Sequence, residues 1–103
     1  MTTAVFSMRN GQPCGFYVQG HSGFAQSGED IVCSAVSSAV ILTANNMELQ
    51  GIACKARCED GLFSLFCETP QLPLQGLLVH LQAIASQYPR NLRICYLNLN
   101  GGK

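Results

Sequence analysis

His21 and Cys33, twelve positions apart, are the residues of this chain whose types and spacing carry chemistry. A free thiol ionises near pH 8.5, so only about 3% is thiolate at neutral pH. A cysteine becomes a nucleophile where an imidazole or a helix N-terminus favours the anion. The intervening segment offers both. His21 to Glu29 reads HSGFAQSGE, polar and glycine-bearing with no period that buries a face, which is the pattern of a loop. From Asp30 onward Ile31, Val32, Ala35, Val36, Ala39, Val40, Thr43 and Met47 recur at steps of three and four, the spacing of one helix face. Cys33 therefore falls in the first or second turn of a helix.

Two starts fit that helix. Ser27-Gly-Glu-Asp30 matches a capping box, in which Ser27 accepts from the amide of residue 30 and Asp30 reaches back. Alternatively Asp30 is itself the N-cap, which makes Cys33 the third helical residue, where unpaired amides and the dipole's positive end favour a negative sulfur. The second start is preferred. Against any catalytic role stands the ordinary one: cysteine is among the most buried residue types and commonly packs as a small hydrophobe. Spacing alone does not bring the ring and the sulfur together.

The order Gly20-His21, a loop with glycines, then Gly28-Glu-Asp-Ile-Val-Cys33-Ser-Ala-Val-Ser37 resembles the ribosomal-processing cysteine proteases of Firmicutes and related bacteria, the Prp family. The specific part of the resemblance is this block; elsewhere it is one of length and element order. Ser22 departs from the alanine that usually follows the histidine in the family. The resemblance implies that Cys33 attacks a peptide carbonyl as thiolate, with His21 as general base and acid. It implies a substrate as well, the N-terminal extension of large-subunit ribosomal protein twenty-seven, cut after a pair of aromatic residues. Amides at the helix start are the economical supply of oxyanion donors. Asp30 either orients His21 or only caps the helix, the cap being the commoner job of a short acidic residue there. Ser37, four residues past Cys33, either touches the thiol or bonds back to the carbonyl of residue 33. The loop from Ser22 to Glu29, with Gly23, Phe24 and Gly28, reads as a mobile wall beside Gly20 that closes over substrate.

Composition narrows the rest. The 103 residues suit a single domain over 1–103, with enough apolar content, 48%, for one core. Charged residues make up only 12%, so an apolar surface patch is expected, and a homodimer is its simplest partner. Val40, Ile41, Leu42 and Met47 populate more than one side of the first helix, which places that interface on helix surface; the family resemblance points to a dimer too. Six basic residues balance six acidic ones without a basic run, which argues against nucleic-acid binding. There is no signal-peptide pattern and no uninterrupted apolar run near 18 residues, so a cytoplasmic protein without a membrane span is expected. The six cysteines then read as free thiols, and Cys54 and Cys58 in CKARC have the wrong interval for zinc. No metal or cofactor is expected.

The elements that must hold the pair follow from the pattern. Thr2 to Met8 and Cys14 to Gln19 read as strands joined by an Asn10-Gly11 turn, so His21 leaves the end of a strand. The first helix runs from about Asp30 to Glu48. Ile52 to Arg57 and Leu62 to Glu68 form a second hairpin, with Cys54, Cys58 and Cys67 as packing thiols. A second helix begins at Pro73 and buries Leu74, Leu77, Leu78, Leu81, Ile84, Ala85 and Tyr88, with His80 at the stripe's edge and Gly76 allowing close packing. Leu92 to Leu99 is the last strand, with Ile94, Tyr96 and Cys95 near the core. The order ββαββαβ is that of a two-layer α+β domain, two helices on one face of a largely antiparallel sheet. Two other functions fit the same residues: a non-catalytic ribosome-assembly module that binds a peptide, and a thiol enzyme of other chemistry, such as an acyltransferase or redox sensor.

Overall fold

Alternation makes the first strand. β1 (Thr2–Arg9) buries Thr2, Ala4, Phe6 and Met8 on one side and leaves Thr3, Val5 and Ser7 half-covered on the other. The structure, a computed structural model, describes residues 1–20, 27–59 and 61–99. β1 turns at Asn10 and Gly11, both with positive φ (56° and 77°), as a two-residue hairpin requires, into β2 (Gln12–Gln19). The register slips by one between Ser7 and Met8, so Cys14 is the extra residue of a bulge.

α1 (Ser27–Leu49) follows, then β3 (Lys55–Glu59), β4 (Leu62–Phe66), α2 (Leu72–Gln87) and β5 (Leu92–Asn98). The sheet order is β3-β4-β2-β1-β5, antiparallel except where β5 pairs with β1. This is the expected α+β order. The connections β2-α1-β3 and β4-α2-β5 each join parallel strands, and they run in opposite directions from antiparallel neighbours. A common hand of crossover therefore puts both helices on one face. On that face Phe6, Phe16 and Phe63 stack across three strands with ring centroids 5.8 and 5.9 Å apart. Val32, Val36, Val40 and Met47 of α1 and Leu74, Leu77, Leu78 and Leu81 of α2 close over them.

α1 ends in a Schellman motif: Gly51, at φ +73°, donates its amide to the Glu48 carbonyl and Ile52 donates to that of Met47. Ile52 is thus part of the cap, which is why β3 begins at Lys55 rather than at Ile52. Val40 and Met47, expected on a helix interface, are core residues; the apolar surplus on α1 is Ile31, Ile41, Leu42 and Leu49. Ile31–Leu49 also meets the length and composition of a membrane span, contrary to expectation, although its inner stripe is committed to the sheet.

Three packing expectations fail. Cys58 is exposed, because all of edge strand β3 is. Tyr96 is half-exposed at the sheet's edge, its hydroxyl accepting from Gln82 Nε2 of α2 at 2.8 Å. Gly76 makes no close approach: a Cβ there meets nothing within 4 Å. Gly15 is the glycine with a packing reason, since a Cβ would lie 2.8 Å from the Leu65 carbonyl oxygen and 2.9 Å from Phe66 Cδ1.

Urea unfolding of two alanine variants checks this contrast. Gly76→Ala should raise stability by about 1 kcal/mol, whereas Gly15→Ala, pressing on backbone, should lower it by about 1–3 kcal/mol.

Candidate functional site

α1 begins at Ser27, so Asp30 is its fourth residue and not its N-cap, and Cys33 is its seventh. The helix therefore starts three residues earlier than its apolar period indicates. Periodicity marks where a helix meets the core, and the sequence Ser27-Gly-Glu-Asp30 carries no apolar residue to mark the turn. The shift changes the chemistry open to Cys33. Its amide belongs to the helix ladder, and the unpaired amides of the first turn lie roughly 5–9 Å back along the axis. The helix start is thus about a turn or more from Cys33, and the dipole's effect fades within the first turn.

Cys33 is half-buried beside the core residue Val32, and its Sγ lies 3.5 Å from the Thr2 hydroxyl of β1. A cavity of about 340 Å³ opens over the thiol. Val18, Val36, Val40, Ile41 and Phe63 make it largely apolar, and Ser37, Gly20 and Thr2 lie on its wall. Ser37 is exposed and shares this cavity with Cys33; the back-bond of α1 that parallels the one considered for it is made by Thr43, to the Ala39 carbonyl at 2.8 Å. The far wall is the β3–β4 hairpin with Cys58, Glu59 and Gly61. That hairpin is tied to the end of β2, because Gly20 donates its amide to the Gly61 carbonyl at 3.1 Å. The backbone immediately before His21 is thereby fixed beside Cys33.

His21, Ser22, Gly23 and Phe24 lie outside the described residues, and of Gly28 and Asp30 only the helical backbone is described. His80 lies elsewhere, exposed on the groove between the helices with Ala35, Leu42 and Pro73. Thr2 and Cys58 are site residues that the sequence reading missed. For Thr2 the trace is its place in the row Thr2, Ala4, Phe6, Met8, a hydroxyl among core positions. Cys58 leaves no comparable signal.

The other thiols differ in environment. Cys67 is buried, its amide donating to the Cys14 carbonyl at 2.8 Å, with Cys54 and Cys14 nearby. Burial, then the proximity of Cys54 and Cys14, pushes the Cys67 thiol up from 9.0 to about 12, which keeps it protonated and unreactive. Among the described residues no three His, Cys, Asp or Glu side chains converge as a metal site.

A family model for cysteine protease Prp matches residues 1–93. The ribosomal processing cysteine protease Prp of Bacillus subtilis (strain 168) is 33% identical, the match covering 77% of this chain and 81% of that one. The essential ribosomal processing protease Prp from S. aureus, solved in complex with a substrate peptide, has a TM-score of 0.85 at 26% identity, covering 94% of this chain and 100% of that chain. The S. aureus protease solved with a covalently linked product peptide has a TM-score of 0.81 at 27% identity, with the same coverage.

Cys67 gives stability a pH dependence of known sign. The native state keeps a proton that the unfolded chain releases above pH 9.0, so this contribution is complete below that pH and is lost as pH rises toward about 12. Urea midpoints measured across this range should fall for the wild type and fall less steeply for Cys67→Ala, although the variant starts lower because of its cavity.

Proposed function

The chain belongs to the cysteine protease Prp family and is a cysteine protease of the ribosomal-processing kind, and from that premise we propose that it removes the N-terminal extension of large-subunit ribosomal protein twenty-seven. Cys33 is the nucleophile in this reading. Its thiolate attacks the scissile carbonyl, His21 holds the proton and gives it to the leaving amine as the C–N bond breaks, and a thioester remains on Cys33. Water, deprotonated by His21, then cleaves the thioester and restores the thiol. The observation that carries the proposal is the apolar cavity of about 340 Å³ over Cys33, placed where the backbone leads into His21. Its aliphatic and aromatic lining suits the aromatic pair before the cut. The S. aureus relative with a covalently linked product peptide supports a covalent route.

Asp30 serves this scheme from the first turn of α1, either steadying His21 or charging the helix start, and Ser37 borders the thiol's cavity. Ser22, Gly23, Phe24 and Gly28, which follow Gly20 in the chain, are the residues assigned to peptide contact in this reading. The enzyme works in the cytoplasm, where ribosomes are assembled, and needs no cofactor. It acts as a homodimer: Ile41, Leu42 and Leu49 are 57%, 61% and 85% exposed, a supply of apolar surface for a two-fold contact.

Incubation with a peptide spanning the extension and its junction, read by mass spectrometry, tests the activity. One cut after the aromatic pair is expected, and Cys33→Ala and His21→Ala should each abolish it without loss of fold. Cleavage by Cys33→Ala at the wild-type rate would remove the assignment. Light scattering at tens of micromolar should return twice the chain mass, and a monomer mass would leave the exposed apolar residues to the substrate groove.

A further inference from the structure

We infer that Thr2 is a positioning residue for the nucleophile: its hydroxyl donates to the sulfur of Cys33 and holds it, as the anion, toward the cavity. The inference rests on the reading of Cys33 as the attacking group. Thr2 Oγ1 is 3.5 Å from Cys33 Sγ, within range of a hydrogen bond to sulfur, and either atom can donate while the thiol is protonated. Once the proton has left, only the hydroxyl can donate, and a bond to a charged acceptor is about twice as strong as a neutral one. The contact therefore favours the thiolate over the thiol.

The placement of that hydroxyl is over-determined. Thr2 is 2% exposed, a polar side chain in the apolar row of β1. Its amide donates to the Asn91 carbonyl at 2.9 Å, and it pairs with Leu92 of β5. A β-branched side chain has few χ1 choices, so a fixed backbone fixes the hydroxyl. One residue beyond the last β1–β2 pair, Thr3 with Gln19, a Cβ on Gly20 would come within 3.3 Å of Thr2 Oγ1. Glycine at position 20 thus leaves the hydroxyl its room, next to the residue proposed as the base. With the first-turn amides about a turn or more away, Thr2 supplies a donor beside the sulfur itself.

Three full-length variants decide it. Thr2→Val keeps the shape and removes the hydroxyl, Thr2→Ser keeps the hydroxyl, and Thr2→Ala removes it without adding a methyl should valine lower the melting temperature. Labelling of Cys33 by iodoacetamide at neutral pH, resolved by mass, should slow roughly three- to tenfold in Thr2→Val, and Thr2→Ser should recover most of the rate. Peptide cleavage should lose kcat by a similar factor while KM stays within about twofold, since the hydroxyl faces the sulfur rather than the peptide. Wild-type labelling and kcat in both Thr2→Val and Thr2→Ala, or an equal loss in Thr2→Ser, would overturn the inference. Labelling does not depend on proteolysis, so the two ideas fail separately. A wild-type protein that cuts no peptide but whose Cys33 is slowed by Thr2→Val keeps the inference and loses the protease assignment; normal cutting with unaffected variants does the reverse.

Discussion

The site depends on the burial of one stripe of α1. Val32, Val36, Val40 and Met47 are all buried in the core beneath α1, and turning the helix about its axis would uncover part of that stripe. Cys33 follows Val32 and so lies about 100° further around the helix, at the margin of the contact. The same packing that stabilises the domain thus aims the sulfur at the start of β1 and at the mouth of the cavity. A thiol held this way is located by the core packing of its own helix, two of whose residues, Val36 and Val40, also line the cavity. Its precision is that of a packed helix rather than of a loop.

Much of this was legible in the residues, for identifiable reasons. Asn10-Gly11 reads as a hairpin because two successive positive φ values exclude most other pairs, and the leucine stripe of α2 reads as buried because its period is unbroken. The order of elements and the single covered face follow from them. What escaped the reading depends on contacts between distant segments or on turns that carry no apolar period. The first turn of α1 is polar, so its start at Ser27 was placed too late, and with it the distance from Cys33 to the free amides. Cys58 was read as packing because cysteine usually packs, yet β3 is an edge strand with every residue exposed. The closeness of Thr2 to Cys33 joins segments that nothing local connects.

Six thiols on one short chain also show how far environment outweighs residue type. Cys14 and Cys67 adjoin through a backbone bond in the interior, and at Cys67 burial and the neighbouring sulfurs suppress ionisation. Cys58 is exposed on a wall of the cavity, and Cys33 is half-covered, with a hydroxyl at hand. A cysteine probe of moderate reactivity therefore meets several distinct chemistries on a surface short of charge.

The parallel pairing of β5 with β1 reaches further than the sheet. It joins strands from opposite ends of the sequence, the kind of long-range closure that forms late because its loop entropy must first be overcome. The Asn91 carbonyl and Leu92 seat Thr2, so a sulfur encoded in the first third of the chain acquires its neighbour only when the seventh element docks. During synthesis the half-made protein already carries its thiol and its α1 sequence, but not the strand that completes their setting. Until β5 pairs with β1, the register that seats Thr2 beside Cys33 is incomplete.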